Sequence, residues 1–100
     1  MGLRVEFEWD VHKRQINIDK HGVFFEDAVV VFRDPYELTL PANTVAGEER
    51  FKTIGRFGPE AILLVVHTRR QASGTGFIIR IISARPASRA ERRRYERREP

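Results

Sequence analysis

The stretch VEFEWDVHKRQINIDKHGVFFEDAVVVFRDP, residues 5–35, switches its hydrophobic period from two to about 3.6 and so decides the class of fold. Val5, Phe7 and Trp9 alternate with Glu6 and Glu8, the pattern of a strand with one buried face. Asp10 can cap a helix over residues 11–21, on which Val11, Gln15 and Ile18 share one face and Lys13, Asn17, Lys20 and His21 the other. Gly22 supplies a C-terminal stop. Phe25, Ala28, Val29 and Phe32 then recur at helical spacing, predicting a second helix that Asp34-Pro35 ends, although Val23-Phe24 gives it no good N-cap.

Beyond Pro35 the pattern is that of strands. They are expected over residues 36–40, 48–57 with a break at Gly55, 61–68 and 77–83. Gly58-Pro59 marks a turn, and residues 41–47 and 69–76 read as polar loops. Sequential strands with short connections pair as hairpins, which predicts a mainly antiparallel sheet. Ser88-Arg89-Ala90-Glu91 is a capping-box pattern opening a last helix to about Arg98, with only Ala87, Ala90 and Tyr95 to bury. The expected fold is α+β, with two N-terminal helices, a mainly antiparallel sheet and a C-terminal helix in one domain spanning residues 1–100.

Composition narrows the chemistry. The absence of cysteine excludes disulfides, thiolate nucleophiles and thiolate metal sites. The longest apolar run, Ala61 to Val66, is far short of the roughly 20 residues a membrane helix needs, and the N-terminus shows no apolar secretion segment. A cytoplasmic protein without membrane contact is the expectation. No His and carboxylate spacing resembles a metal site, and neither a phosphate-binding glycine loop nor a nucleophile elbow occurs, so no metal or cofactor is expected. Residues 1–84 hold eleven Lys or Arg against eleven Asp or Glu, whereas residues 85–100 hold seven arginines against three glutamates. Clustered arginine attracts phosphate through its two-pronged donor geometry; a solvated helix with internal Glu–Arg pairs is the plainer reading of this segment.

Phe7-Glu8-Trp9-Asp10, Lys13, Asn17, Lys20-His21-Gly22-Val23, Phe25-Glu26-Asp27-Ala28, Phe32 and Asp34-Pro35 together resemble the N-terminal half of BrnT toxins. Glu49-Arg50-Phe51, Ile54-Gly55, Val65-Val66-His67-Thr68 and Arg80-Ile81-Ile82-Ser83-Ala84-Arg85, followed by Ala87, Arg89, Glu91-Arg92 and Tyr95, are similar to the C-terminal half of that family. The resemblance runs through about nine-tenths of the chain. It implies a RelE-like ribonuclease fold, toxicity through RNA cleavage, and a BrnA-type antitoxin with a ribbon-helix-helix domain, through which alone operator DNA is bound. One departure is visible. The family commonly has Thr-Glu-Arg where Thr68-Arg69-Arg70 stands, so Arg70 aligns with the family arginine and the acidic position is lost at Arg69.

Metal-free RNA cleavage uses the 2′-hydroxyl as internal nucleophile, so a protein must remove its proton, hold extra charge on phosphorus and protonate the leaving oxygen. His67, Arg70, Arg80 and Arg85 are the candidates, expected to converge near one end of the sheet if their strands pair. His67 is the candidate general base or a satisfied half-buried histidine. Arg80, on a face with Ile78 and Ile82, either holds an anion or pairs with Glu26 or Asp27. Lys13, Lys20, Arg92 and Tyr95 are candidate RNA contacts; the lysines are otherwise ordinary solvated groups, and anchoring the last helix is the favoured role for Tyr95. His12 and His21 read as surface or capping groups. The alternative to an endoribonuclease is a non-catalytic nucleic-acid or partner-binding module with the same fold. The antitoxin is expected to cover the sheet end holding Arg80 and Arg85.

Overall fold

Asp10 has extended backbone, and its carboxylate accepts from the amides of His12 and Lys13, so the chain passes straight from β1 (Val5–Glu8) into α1 (Val11–His21). Gly22, at φ +70°, ends α1, and α2 (Phe25–Val31) follows without any side-chain cap at Phe24. The computed structural model describes residues 4–72 and 74–98. It continues through β2 (Leu38–Val45), β3 (Glu48–Phe57), β4 (Ala61–Gln71) and β5 (Phe77–Pro86) to α3 (Arg89–Arg97). The Ser88–Glu91 capping box opens α3.

The strands form one sheet in the order β1-β5-β4-β3-β2. Three neighbouring pairs are antiparallel, and β1 lies parallel to β5 with Val5 opposite Phe77 and Glu8 opposite Arg80. Phe25, Ala28 and Val31 bury their stripe on Leu63, Val65, Ile81 and Ala84, with Phe7, Trp9 and Phe32 closing the margin of this helix-covered face. Each large side chain fully removed from water there contributes on the order of 1.5–3 kcal/mol. On the other face α3 reaches one end only, where Tyr95 packs with Ile54, Ile62 and Leu64. The remainder of that face carries Glu8, Arg70 and Arg80, whose side chains stay partly exposed, and Thr68, which is buried among them.

Several expectations need correction. Of the face expected to be shared by Val11, Gln15 and Ile18, helix α1 leaves Val11 (68%) and Gln15 exposed and Ile18 only half-buried; it buries Asn17, from the other face, instead. The cause lies in the sheet. Because β1 stops at Glu8, the edge of β5 that faces away from β4 has no strand beside it past Arg80, and the backbone groups on that edge need other partners. Asn17 supplies them, donating to the carbonyls of Val23 and Ala84 at 2.9 and 2.8 Å and accepting from the Ala84 amide at 3.0 Å.

Residues 41–45, read as part of a loop, continue β2. It is an edge strand, where a proline without an amide proton is tolerated, and the register shift between Pro41 and Thr44 absorbs the irregularity. The turn itself shrinks to Ala46-Gly47, both at positive φ. Gly55 does not break β3 either. A Cβ there would stand 2.6 Å from Cγ1 of Val31, so the glycine lets α2 sit close on the sheet. Strands β4 and β5 run to Gln71 and Pro86, beyond their expected ends, and β5 carries an extra residue, Ile82, opposite the Val66–His67 step.

Candidate functional site

Facing residues of adjacent strands project to the same side of a sheet, so the register assembles a cross-strand row on the open face: Glu8, then Arg80, then Thr68. Arg70, opposite Ile78, is two residues further along β4 on that face. The two guanidiniums meet on one carboxylate. Nη1 of Arg70 and of Arg80 donate to Oε2 of Glu8 at 3.0 and 3.2 Å, and Nη2 of Arg70 donates to Oε1 at 3.3 Å. The Arg70 guanidinium, reinforced by Arg80 against some desolvation, holds the Glu8 carboxyl below the usual carboxylate range. All three side chains keep contact with solvent, at 55% for Arg70, 39% for Arg80 and 35% for Glu8. An anion arriving from solution can therefore compete for both forks.

His67 is on the opposite face. It is 2% exposed and sits between the rings of Phe32 and Phe51, with centroids 5.0 and 6.0 Å away. Nε2 shares a 2.8 Å hydrogen bond with the Thr53 hydroxyl, itself bonded to that of Thr39, and Nδ1 is buried without a hydrogen-bond partner. Burial pushes His67 down to about 4, the nearby Thr68 backbone opposing this only in part, so the ring is neutral at physiological pH. Successive residues of a strand point to opposite faces, and it is Thr68, not His67, that lies beside Arg80. Arg69 also belongs to the helix-covered face, its guanidinium 4.2 Å from the Phe51 ring centroid.

The expected convergence of four groups thus reduces to two. Arg85 lies opposite Leu64, five positions along β5 from Arg80, and is occupied by Glu91 through bonds of 2.8 and 2.9 Å that tie α3 to the sheet. Arg80 pairs with Glu8 rather than with Glu26 or Asp27; Glu26 takes Arg14. Tyr95, 3% exposed, has no ring face open to a base. Its hydroxyl donates to Asp34, which also accepts from the amides of Tyr36 and Arg56, so the residue anchors α3. Arg92 is half-buried on α3. Lys13 and Lys20 line a groove of about 280 Å³ with Ile16, Asn17, His21, Ile82 and Ser83, between α1 and β5. His12 is exposed, with its amide on Asp10.

Glu8, which joins the two arginines, was not among the sequence candidates because it is merely the polar alternate of a short strand. Its meaning depends on a parallel pairing with a strand 72 residues away. Among the described residues no cluster of three or more His, Asp or Glu side chains has a metal-holding arrangement, and no helix is long and apolar enough to cross a membrane.

The family model for the ribonuclease toxin BrnT of type II toxin–antitoxin systems matches residues 9–91. Among solved structures, the chain is similar to the ribonuclease toxin BrnT of Brucella abortus, a 1.1 Å crystal structure. The two are 30% identical, with a TM-score of 0.57, and the match covers 88% of this chain and all of the other. No curated protein sequence matches the chain.

Proposed function

The chain belongs to the BrnT family of ribonuclease toxins of type II toxin–antitoxin systems, and from that premise we propose a metal-independent endoribonuclease whose reacting phosphate binds on the open sheet face between Arg70 and Arg80. The observation that carries this reading is the meeting of two partly exposed guanidiniums on the Glu8 carboxylate. A phosphate entering between the forks takes over hydrogen bonds that Glu8 now receives. The carboxylate loses stabilisation, its proton affinity rises, and it becomes the better placed to accept the proton of the attacking 2′-hydroxyl.

Attack of the 2′-oxygen on phosphorus forms a pentacoordinate centre whose added charge the two arginines hold. The P–O5′ bond then breaks, leaving a 2′,3′-cyclic phosphate, and the protonated Glu8 returns its proton to the leaving 5′-oxygen. DNA lacks the nucleophile and is inert. In this reading His67 serves the core and Arg85 holds α3, whereas Lys13 and Lys20 guide the RNA backbone along the α1–β5 groove and Arg92 adds positive charge from α3. The architecture is read as a variant of the RelE-like ribonuclease fold, working in the cytoplasm. A BrnA-type antitoxin with a ribbon-helix-helix domain neutralises the toxin by covering the open face, and operator DNA is reached through that partner alone.

The test is incubation of the purified protein with RNA in excess EDTA, with the product ends identified. Cleavage leaving 5′-hydroxyl and 2′,3′-cyclic phosphate ends is expected. RNA bound but uncut would instead leave a binding module, for which the lost acidic position at Arg69 is the hint.

A further inference from the structure

The row on the open face does not end at Thr68. Phe51 pairs with His67 across β3 and β4, so the next step of the same ladder brings Arg50 beside Thr68, in line with Arg80 and Glu8. Glu48, one further alternation along β3, lies close enough to Arg70 to act on its charge, so the two strands stay together past their last paired residues. Arg80 and Arg50 are thus two interstrand spacings apart, roughly 10 Å at the backbone. Lys52 projects to the same side, opposite Val66.

Arg50 differs from Arg70, Arg80 and Arg85 on this face, and from Arg56, whose guanidinium donates to the Pro59 carbonyl. Arg70 and Arg80 share Glu8, and Arg85 has Glu91. Arg50 is half-buried, its Nε is shut off from solvent without a hydrogen-bond partner, and none of the described carboxylates stands within ion-pairing distance of it. A guanidinium that has lost part of its water and gained no anion raises the free energy of the empty protein. It regains that stability when an anionic ligand arrives.

We propose that Arg50 is a second phosphate-binding position on this face, taking a backbone phosphate of the bound RNA next to the one held between Arg70 and Arg80. The inference rests on the nuclease reading for the nature of its ligand. Its role is to fix the register of the strand, with Thr68 lying between the two sites. A single phosphate bridging Arg50 and Arg80 is disfavoured because Glu8 draws Arg80 towards β1, away from β3.

The test uses a short 2′-O-methyl RNA, which binds but has no hydroxyl to attack, with binding measured over a range of salt. Arg50→Met is expected to weaken binding about tenfold and to lower the log–log salt slope by about 0.7, one released counterion on a single strand. Arg50→Lys recovers the slope. Arg80→Met lowers it by a similar amount, and the double variant by about twice as much, because the two residues neutralise different phosphates. The melting temperature of Arg50→Met stays level or rises, since an uncompensated charge has been removed. An unchanged slope in Arg50→Met overturns the proposal, as does a double variant no lower than either single one. Wild-type protein that binds this RNA but leaves ordinary RNA intact refutes the nuclease reading alone.

Discussion

Replacing Asn17 with alanine removes three hydrogen bonds from a largely buried place, since the residue is 4% exposed and its partners lie on the edge of β5 that faces away from β4 and at the carbonyl of Val23. At about 1 kcal/mol net per bond the loss is about 3 kcal/mol, and more if the Ala84 amide and carbonyl stay buried and unsatisfied. A domain of this size melts some 4–8 °C lower per kcal/mol, so the midpoint should fall by roughly 12–24 °C. Urea unfolding, followed by tryptophan fluorescence, measures the free energy directly, and hydrogen exchange at the Ala84 amide reports whether the edge itself has opened. Asn17→Leu separates lost packing from lost bonding: it fills the space, leaves the edge bare and should be nearly as unstable as the alanine variant. A loss below about 1 kcal/mol, or a leucine variant as stable as the native chain, would refute the view that α1 is held by a polar edge contact.

Gly55→Ala should destabilise the protein by about 1–3 kcal/mol through collision with Val31, and Val31→Ala in the same chain should restore part of that loss; equal instability of the single and double variants in thermal melts would contradict it. His67 is neutral in the folded state down to about 4 but titrates near 6.5 when unfolded. Its depressed value means that the unfolded chain binds the extra proton first. Stability should therefore fall by roughly 2–3 kcal/mol as pH drops from 6.5 to 4, and His67→Gln should flatten that segment of a pH–stability curve. A wild-type profile level across the window would disprove it.

The sequence disclosed elements more readily than their neighbours. Periodicity located α2 by Phe25, Ala28 and Phe32 and put His67 on one side with Leu63 and Val65, and the Ser88–Glu91 box marked the start of α3. These signals are local. Pro41 concealed the second half of β2 because only an edge strand accepts proline, and being an edge is a property of the finished sheet. Asn17 was placed on the outward face for a similar reason: a polar residue turns inward only where a strand lacks a partner, and that gap exists because β1 is four residues long.

The candidate site was legible to the same degree. Arg70 and Arg80 were found by residue type and family likeness, but which arginines meet depends on pairings between distant strands. The parallel docking of β1 brought Glu8 to them, while alternation along β4 sent His67 to the far side and the length of β5 carried Arg85 away. Arg50 stood in a family-like motif, Glu49-Arg50-Phe51, but only the partners it has in three dimensions separate it from a solvated arginine.

The rate at which Arg80→Met cuts RNA in EDTA, set beside its melting temperature, tests most directly whether the open-face guanidiniums hold the reacting phosphate. Loss of a preorganised charge-stabilising group predicts cleavage slower by about 10²–10³-fold. The melting temperature should change little, because a partly exposed ion pair contributes about 0–1 kcal/mol. Cleavage at the native rate, with the same 5′-hydroxyl ends, would contradict the assignment.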